Sequence, residues 1–336
     1  MDRRSRLVAA GLGAVTFFLV VQFCALALVE PFDAAGYQSV DDPQNPLNSA
    51  IYLGVILVAT AVMLALMRYD LTRVLRAFLV LTSGLIAGYV FSVTVPPVRV
   101  AALGGLDVAP WVGAGVVVLG LVVYPEWWVI DGAGLLMGMG AGALFGISFG
   151  ILPAIILLTA LAVYDAISVY GTKHMLTLAS GVMELRVPVL IIIPTTRGYS
   201  FIEEASEMAS SIDAETSGDA DAGDADGATT PDAGADEPLA RDAFFIGLGD
   251  AVMPSIMVAS AGFFLETPRI LGVEMAPLFA IGGTTVGLLV LLWMVAKGRA
   301  HAGLPLLNGG AIGGYLLGAL AAGIPLISAL GLNGLF

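Results

Sequence analysis

Apolar residues dominate this chain in long unbroken runs, without the strict alternation of a half-exposed strand or the narrow stripe of a soluble helix. A helix that crosses a bilayer needs about 20 mostly apolar residues. Nine stretches meet that requirement: 7–29, 48–67, 77–97, 109–125, 129–149, 151–170, 243–264, 275–296 and 303–330. The fifth and sixth lie almost end to end. Together they are too long for one crossing, and Gly146, Gly150 and Pro153 mark the turn between them. The ninth is interrupted by Pro305, Gly309, Gly310, Gly313, Gly314 and Pro325, which predicts a shorter or kinked helix. The first follows MDRRSR and precedes an ALA at 25–27, as a secretory leader would. Its apolar run exceeds the ~7–15 residues of a leader core, so it reads as a retained helix. The expected fold class is all-α: a polytopic membrane protein with nine transmembrane helices.

Composition supports that reading. Of 336 residues, 58% are hydrophobic and 12% charged, against about a quarter charged in soluble domains. Mean hydropathy is +0.93. The single cysteine, Cys24, lies in an apolar run and excludes a disulfide framework. The net charge of −13 is concentrated in one place: residues 203–242 hold 13 of the 27 acidic residues and a single base, Arg241. That stretch of Asp, Glu, Ala, Gly, Ser and Thr has too little apolar surface to offset the entropy of ordering, which predicts a disordered acidic linker.

The basic residues orient the chain. With nine spans and the N-terminus in the cytoplasm, Arg3, Arg4, Arg6, Arg68, Arg73, Arg76, Lys173, Arg186, Arg197, Arg241, Lys297 and Arg299 fall inside. Only Arg99 and Arg269 fall outside, a strong positive-inside bias that would blur if one span were added or removed. The expected organisation is transmembrane helices 1–6 in residues 1–170 and a cytoplasmic helix extension with a short strand in 171–202. The linker 203–242 and transmembrane helices 7–9 in 243–336 follow, with the C-terminus outside.

Candidate chemistry begins with carboxylates inside apolar runs, which are costly and usually functional. Glu126 and Asp131 border the fourth and fifth spans beside YPEWW, an interfacial aromatic belt. Asp70, Asp107, Glu266 and Glu274 read as loop residues. Two remain: Asp165 in LLTALAVYDAISVY and Asp250 in FFIGLGDAVMPSIMV. At 1.5 Å per residue both sit roughly 8–12 Å below the cytoplasmic surface, so a pair is geometrically admissible. Two carboxylates close together in a low dielectric cannot both ionise and share one proton. A pair in that state can perform peptide hydrolysis, the charged acid drawing a proton from water while the protonated one polarises the carbonyl. Helix capping by each aspartate, or a proton- or cation-coupled transporter or channel using both, remain alternatives on spacing alone. Around Asp250, Gly247 and Gly249 remove side chains, and Pro254 cannot donate to the Asp250 carbonyl.

Tyr164-Asp165 in the sixth span and Gly247-Leu248-Gly249-Asp250 in the seventh resemble the paired signatures of the presenilin and signal peptide peptidase family, the GxGD intramembrane aspartyl proteases. The family's third signature, Pro-Ala-Leu, is matched by Pro305-Leu306-Leu307 at the start of the ninth span, with leucine in place of alanine. The N-in orientation is similar to presenilin. The resemblance implies an aspartic endopeptidase that cuts within or near the transmembrane helix of membrane-protein substrates, with Asp165 and Asp250 catalytic. It implies that Tyr164, Gly247, Leu248, Gly249 and Pro305 to Leu307 form the motifs and position substrate. It also implies a strand near RVPVLIIIP, at 187–193, that pairs with the unwound substrate. No cofactor and no metal is expected. The expected partners are single-span membrane-protein substrates and the bilayer, with self-association left open and nucleic acid excluded. The location expected is the cell membrane, with the active site toward the cytoplasm.

Other catalytic patterns fail. GISFG at 146–150 matches G-x-S-x-G but lies at a glycine-rich helix turn, and the only histidines, His174 and His301, fall at span edges. There is no H-E-x-x-H, phosphate-binding loop or dinucleotide fingerprint.

Overall fold

The computed structural model describes residues 3–69, 71–100, 106–172, 190–194, 199–202, 243–297 and 302–332. The acidic linker 203–242 and most of the segment 171–202 lie outside the described residues.

The helices follow the apolar runs closely. They are α1 (Arg3–Ala34), α2 (Leu47–Arg68), α3 (Thr72–Thr94), α4 (Ala109–Val123), α5 (Trp127–Ser148), α6 (Ile151–Ile167), α7 (Leu248–Phe264), α8 (Met275–Val295), α9 (Leu304–Ala321) and the single turn α10 (Leu326–Ala329). Among the described residues, seven helices are long and apolar enough to cross a membrane, and α4 and α7 are shorter apolar helices. A π-helical turn, Ser168–Thr172, continues α6, and among the described residues there are three two-stranded antiparallel sheets: β1 (Arg99–Val100) with β2 (Leu106–Asp107), β3 (Leu190–Pro194) with β4 (Ala243–Gly247), and β5 (Arg269–Ile270) with β6 (Val273–Glu274).

Two predicted spans change character. The seventh does not start as a helix at residue 243: Ala243–Gly247 is a strand, and the helix begins at Leu248. Phe244, Phe245 and Ile246 favour extended backbone, and β3 supplies them with a partner. The ninth ends at Ala321, where Gly323 takes a positive φ of 83° and Pro325 begins the separate turn α10. Tyr315, fully buried in α9, donates its hydroxyl to the Ala329 carbonyl at 2.6 Å and so holds α10 under the end of the bundle.

Small residues set the spacing of the bundle. α5 carries Gly134, Gly138, Gly142 and Gly146 on one stripe, all buried. A Cβ on Gly146 would collide with Ala259 of α7, and one on Gly142 would collide with Ser255. Without side chains along that stripe, α7 lies directly against α5, as small residues allow in membrane helices. α8 and α9 approach more closely still. A Cβ on Gly283 would strike the carbonyl oxygen of Gly310, and one on Gly287 would strike that of Leu306. Their backbones are therefore in contact along several turns. α1 lies across α5 and α7, burying Ala10, Ala14, Phe18, Val21, Ala25, Leu28 and Phe32 at helical three- and four-residue spacing. α2, by contrast, fully buries only Asn48 and Ser49; Tyr52, Leu53, Ile56, Met63, Leu66 and Met67 are partly buried against the bundle, while Ile51, Val55, Val58 and Val62 face outward.

Candidate active site

Asp165 lies in the last turn of α6, and Asp250 is the third residue of α7. The two helices pack on each other and on α9, and the N-terminal turn of α9 lies between the acids. The Leu304 backbone N–H donates to Asp165 Oδ2 at 3.0 Å. One residue earlier, the Cβ position of Gly303 lies 3.5 Å from Asp250 Oδ2. Both carboxylates therefore converge on the Gly303–Leu304 peptide. Asp165 is buried and Asp250 half-buried. Each also sits at the N-terminal end of a helix, Asp250 in the first turn of its own and Asp165 against that of α9. Unpaired amides and the helix dipole there present positive charge.

The sequence explains why α9 starts at this point. Pro305 stands in its first turn, where a missing N–H costs nothing. Leu307 is fully buried with Leu248 and Leu288, in a cluster that includes Ala14, Phe18, Ile191 and Ile246. α6 and the π-helical turn Ser168–Thr172 that continues it grip the start of α9 at three levels. The Ala302 N–H donates to the Tyr170 hydroxyl at 3.4 Å, the Leu304 N–H to Asp165, and the buried Asn308 Nδ2 to the Leu158 carbonyl at 3.0 Å.

The predicted motif residues divide into two groups. Gly247, Leu248, Pro305, Leu306 and Leu307 lie around the acids. A Cβ on Gly247 would touch Asp250 Oδ2 at 3.5 Å, and Leu248 is buried beneath. Gly249 is exposed with nothing within 4 Å of its Cβ position, so the approach to Asp250 is open on that side. Tyr164 is 56% exposed, on the outer surface of α6. Leu306 occupies the alanine position of the Pro-Ala-Leu pattern without forcing the helices apart, because the closest approach is its carbonyl against Gly287.

The strand predicted at 187–193 appears as β3 at Leu190–Pro194, residues 187–189 lying outside the described residues. It pairs with β4 in the register Leu190–Gly247, Ile191–Ile246, Ile192–Phe245, Ile193–Phe244 and Pro194–Ala243. The Ile192 N–H donates not to β4 but to Asp131 Oδ1 of α5, at 2.8 Å. Ile192–Phe245 is therefore a non-hydrogen-bonded pair. By antiparallel alternation the N–H and C=O groups of Phe245 and Gly247 face away from β3. β4 runs into α7 with no intervening loop, Gly247 ending the strand and capping the helix.

Asp131, Asn308 and Tyr170 are the site residues that the sequence did not single out. Asp131 lies five residues past Glu126 and, by sequence alone, reads as part of the interfacial belt. Its position inside the first turns of a glycine-rich span was the available signal. Glu126 has an anchoring task of its own: it accepts from Ser200 Oγ at 2.6 Å and from the Phe201 N–H at 3.1 Å, tying residues 199–202 to the start of α5. Among the described residues, no group of three His, Cys, Asp or Glu side chains could hold a metal ion.

A comparison with protein families matches residues 15–324 to the family described as signal-peptide peptidase, presenilin aspartyl protease. The chain belongs to this family. Two solved structures agree. A presenilin family intramembrane aspartate protease in a C222 crystal is 34% identical over 93% of this chain and 99% of its own, with a TM-score of 0.61. A presenilin family intramembrane aspartate protease in a P2 crystal is 35% identical over 93% of this chain and 98% of its own, with a TM-score of 0.60. No match is found among curated proteins. As a member of the presenilin and signal-peptide peptidase family, the protein is an intramembrane aspartyl protease with a multi-pass helical fold.

Proposed function

We propose that Asp165 and Asp250 are the catalytic pair of this presenilin-family protease, and that they hydrolyse peptide bonds within or near the transmembrane helix of single-span membrane proteins. The observation that carries this reading is the convergence of both carboxylates on the Gly303–Leu304 peptide at the start of α9. The ionised acid takes a proton from water as the water oxygen bonds to the scissile carbonyl carbon. The protonated acid donates to the carbonyl oxygen, giving a tetrahedral diol. Return of a proton to the amide nitrogen breaks the C–N bond and leaves a carboxylic acid and an amine.

A helical substrate shields its peptide bonds, so it must unwind before water can reach them. Once extended, it needs partners for its exposed backbone groups, and strand addition at a sheet edge supplies them. The middle of the outer edge of β3 is taken by Asp131, and Pro194 offers no N–H. The outward N–H and C=O of Phe245 and the N–H of Gly247 on β4 remain, immediately before Asp250, the Gly247 carbonyl being taken up by the first turn of α7. This reading moves the substrate-pairing role from 187–193 to β4. With the N-terminus inside, as the distribution of basic residues favours, cleavage takes place toward the cytoplasmic side of the cell membrane.

The test is cleavage of a purified single-span reporter by the full-length protein in lipid vesicles. Asp165→Asn and Asp250→Asn should each lower the rate by at least about 10²-fold, the low end for loss of a general acid or base. Activity retained by either variant would overturn the assignment, and ion flux abolished by the same substitutions would point to a transporter.

A further inference from the structure

We propose that Asp131 is a positioning residue for peptide cleavage: by accepting the Ile192 N–H it fixes β3 to α5 and thereby holds in place β4, the strand that delivers Asp250. The inference rests on the reading of Asp165 and Asp250 as the catalytic pair.

Asp131 lies in the second turn of α5, a helix held against α1 and α7 by its glycine stripe and so a stable reference within the bundle. Its half-buried carboxylate reaches Ile192, the central residue of β3, at 2.8 Å. The contact meets the strand at its middle and on the edge opposite β4. The bond anchors the centre of β3 to α5, so the strand cannot lift or shift from the helix without breaking it, while Ile191 and Ile192 are buried in separate clusters on opposite faces, which a one-residue slip would exchange. Packing alone holds the position of the strand weakly, since Leu190, Ile191, Ile192 and Ile193 are nearly interchangeable aliphatic residues.

The consequence passes to Asp250 without slack. Ile191 and Ile246, on paired positions of the two strands, are buried in the same cluster as Leu248 and Leu307. β4 continues directly into α7, and Asp250 follows three residues after the strand ends. One turn along α5, the Cβ position of Gly134 lies 3.7 Å from Leu248, so α5 touches the glycine motif as well as the strand. Glu126 secures residues 200–201 to the same end of α5. The first turns of α5 therefore hold both the strand and the segment that follows it, and Asp131 holds the part in register with the acid.

Two substitutions separate this role from a chemical one. Asp131→Asn keeps an oxygen acceptor for the Ile192 N–H but removes the charge; Asp131→Ala removes the acceptor. With the full-length protein in vesicles and a single-span reporter, kcat, KM and the cut positions are measured, the last by mass spectrometry of the products. Asp131→Ala should lower kcat at least tenfold with KM within about threefold, because the substrate helix still meets the same bundle. It should also spread the cuts over neighbouring bonds. Asp131→Asn should restore a single dominant cut and most of kcat.

If Asp131→Ala cuts the same bonds in the same proportions with kcat within twofold, the proposal fails. It also fails if Asp131→Asn is as impaired as Asp131→Ala, which would make the charge itself the requirement. Should Asp131→Ala not fold, Ile192→Pro removes the same hydrogen bond from the strand side, at a position whose N–H is outside the ladder. The same spread of cuts is then expected, and an unchanged pattern overturns the proposal. Cleavage surviving in Asp250→Asn would instead refute the underlying assignment, whatever the Asp131 variants do.

Discussion

Gly287→Ala provides a test of how tightly the site depends on the contact between α8 and α9. In mid-helix, alanine is favoured over glycine by up to about 1 kcal/mol, so α8 alone would gain. The neighbouring helix opposes the change. A Cβ at position 287 overlaps the Leu306 carbonyl oxygen and lies 2.9 Å from its carbonyl carbon and 3.4 Å from Leu307 Cα. Carbon atoms in contact prefer about 3.5–4.0 Å, so the first turn of α9 must retreat by roughly 0.6–1 Å. Overpacking of this kind costs about 1–3 kcal/mol, leaving a net destabilisation of about 0–2 kcal/mol after the helix gain. The kinetic effect should be larger, because Leu306 is two residues from the amide that binds Asp165. A displacement of about 1 Å at a catalytic centre costs on the order of 10²-fold in rate. Gly287→Ala should therefore cut reporter cleavage about 10- to 100-fold while thermal unfolding moves by only a few degrees. Gly282→Ala is the control, since nothing lies within 4 Å of that Cβ position. If Gly287→Ala cleaves within twofold of the unaltered protein, or Gly282→Ala is equally impaired, the steric reasoning is refuted.

Asn308→Ala removes the buried contact between α9 and the Leu158 carbonyl of α6 and should lower stability by about 1–2 kcal/mol, read by thermal unfolding, with a fall in kcat as the start of α9 loosens from Asp165. Deleting residues 205–238 should leave both unfolding and cleavage unchanged, since that composition offers no core to lose; lost cleavage in a folded deletion variant would give the linker a specific role.

Much of this architecture was legible because lipid leaves so few alternatives. Backbone groups in a bilayer must be satisfied within the segment, so long apolar runs become helices: among the described residues seven of the nine predicted runs give helices long enough to cross, and the fourth and seventh give the shorter α4 and α7. The two acids stood out because a carboxylate amid LLTALAVY or FFIGLG has little reason to be there except chemistry. What stayed hidden depended on partners distant in sequence. Residues 243–247 are apolar enough to be read as the start of a helix, and only the pairing with Leu190–Pro194 makes them a strand. Asp131 lies near enough to the aromatic belt to pass for an interfacial residue, and its task becomes visible only once Ile192 is beside it. Gly283 and Gly287 gave no sign of which helix they admit, because a glycine records that something comes close and not what.

The backbone contact between α8 and α9 also limits how the enzyme can move. Two helices touching carbonyl to glycine over several turns cannot slide or roll independently, so they travel as one solid piece. On the other side, Asp250 is fused through β4 to β3, and β3 is bound to α5. The candidate catalytic centre thus lies at the seam where these two units meet, with Asp165 on α6 tied to the start of α9 through the Leu304 amide. A drug or lipid that alters activity need not reach the acids: wedging or drawing together that seam anywhere along its length would change how the two acids face each other.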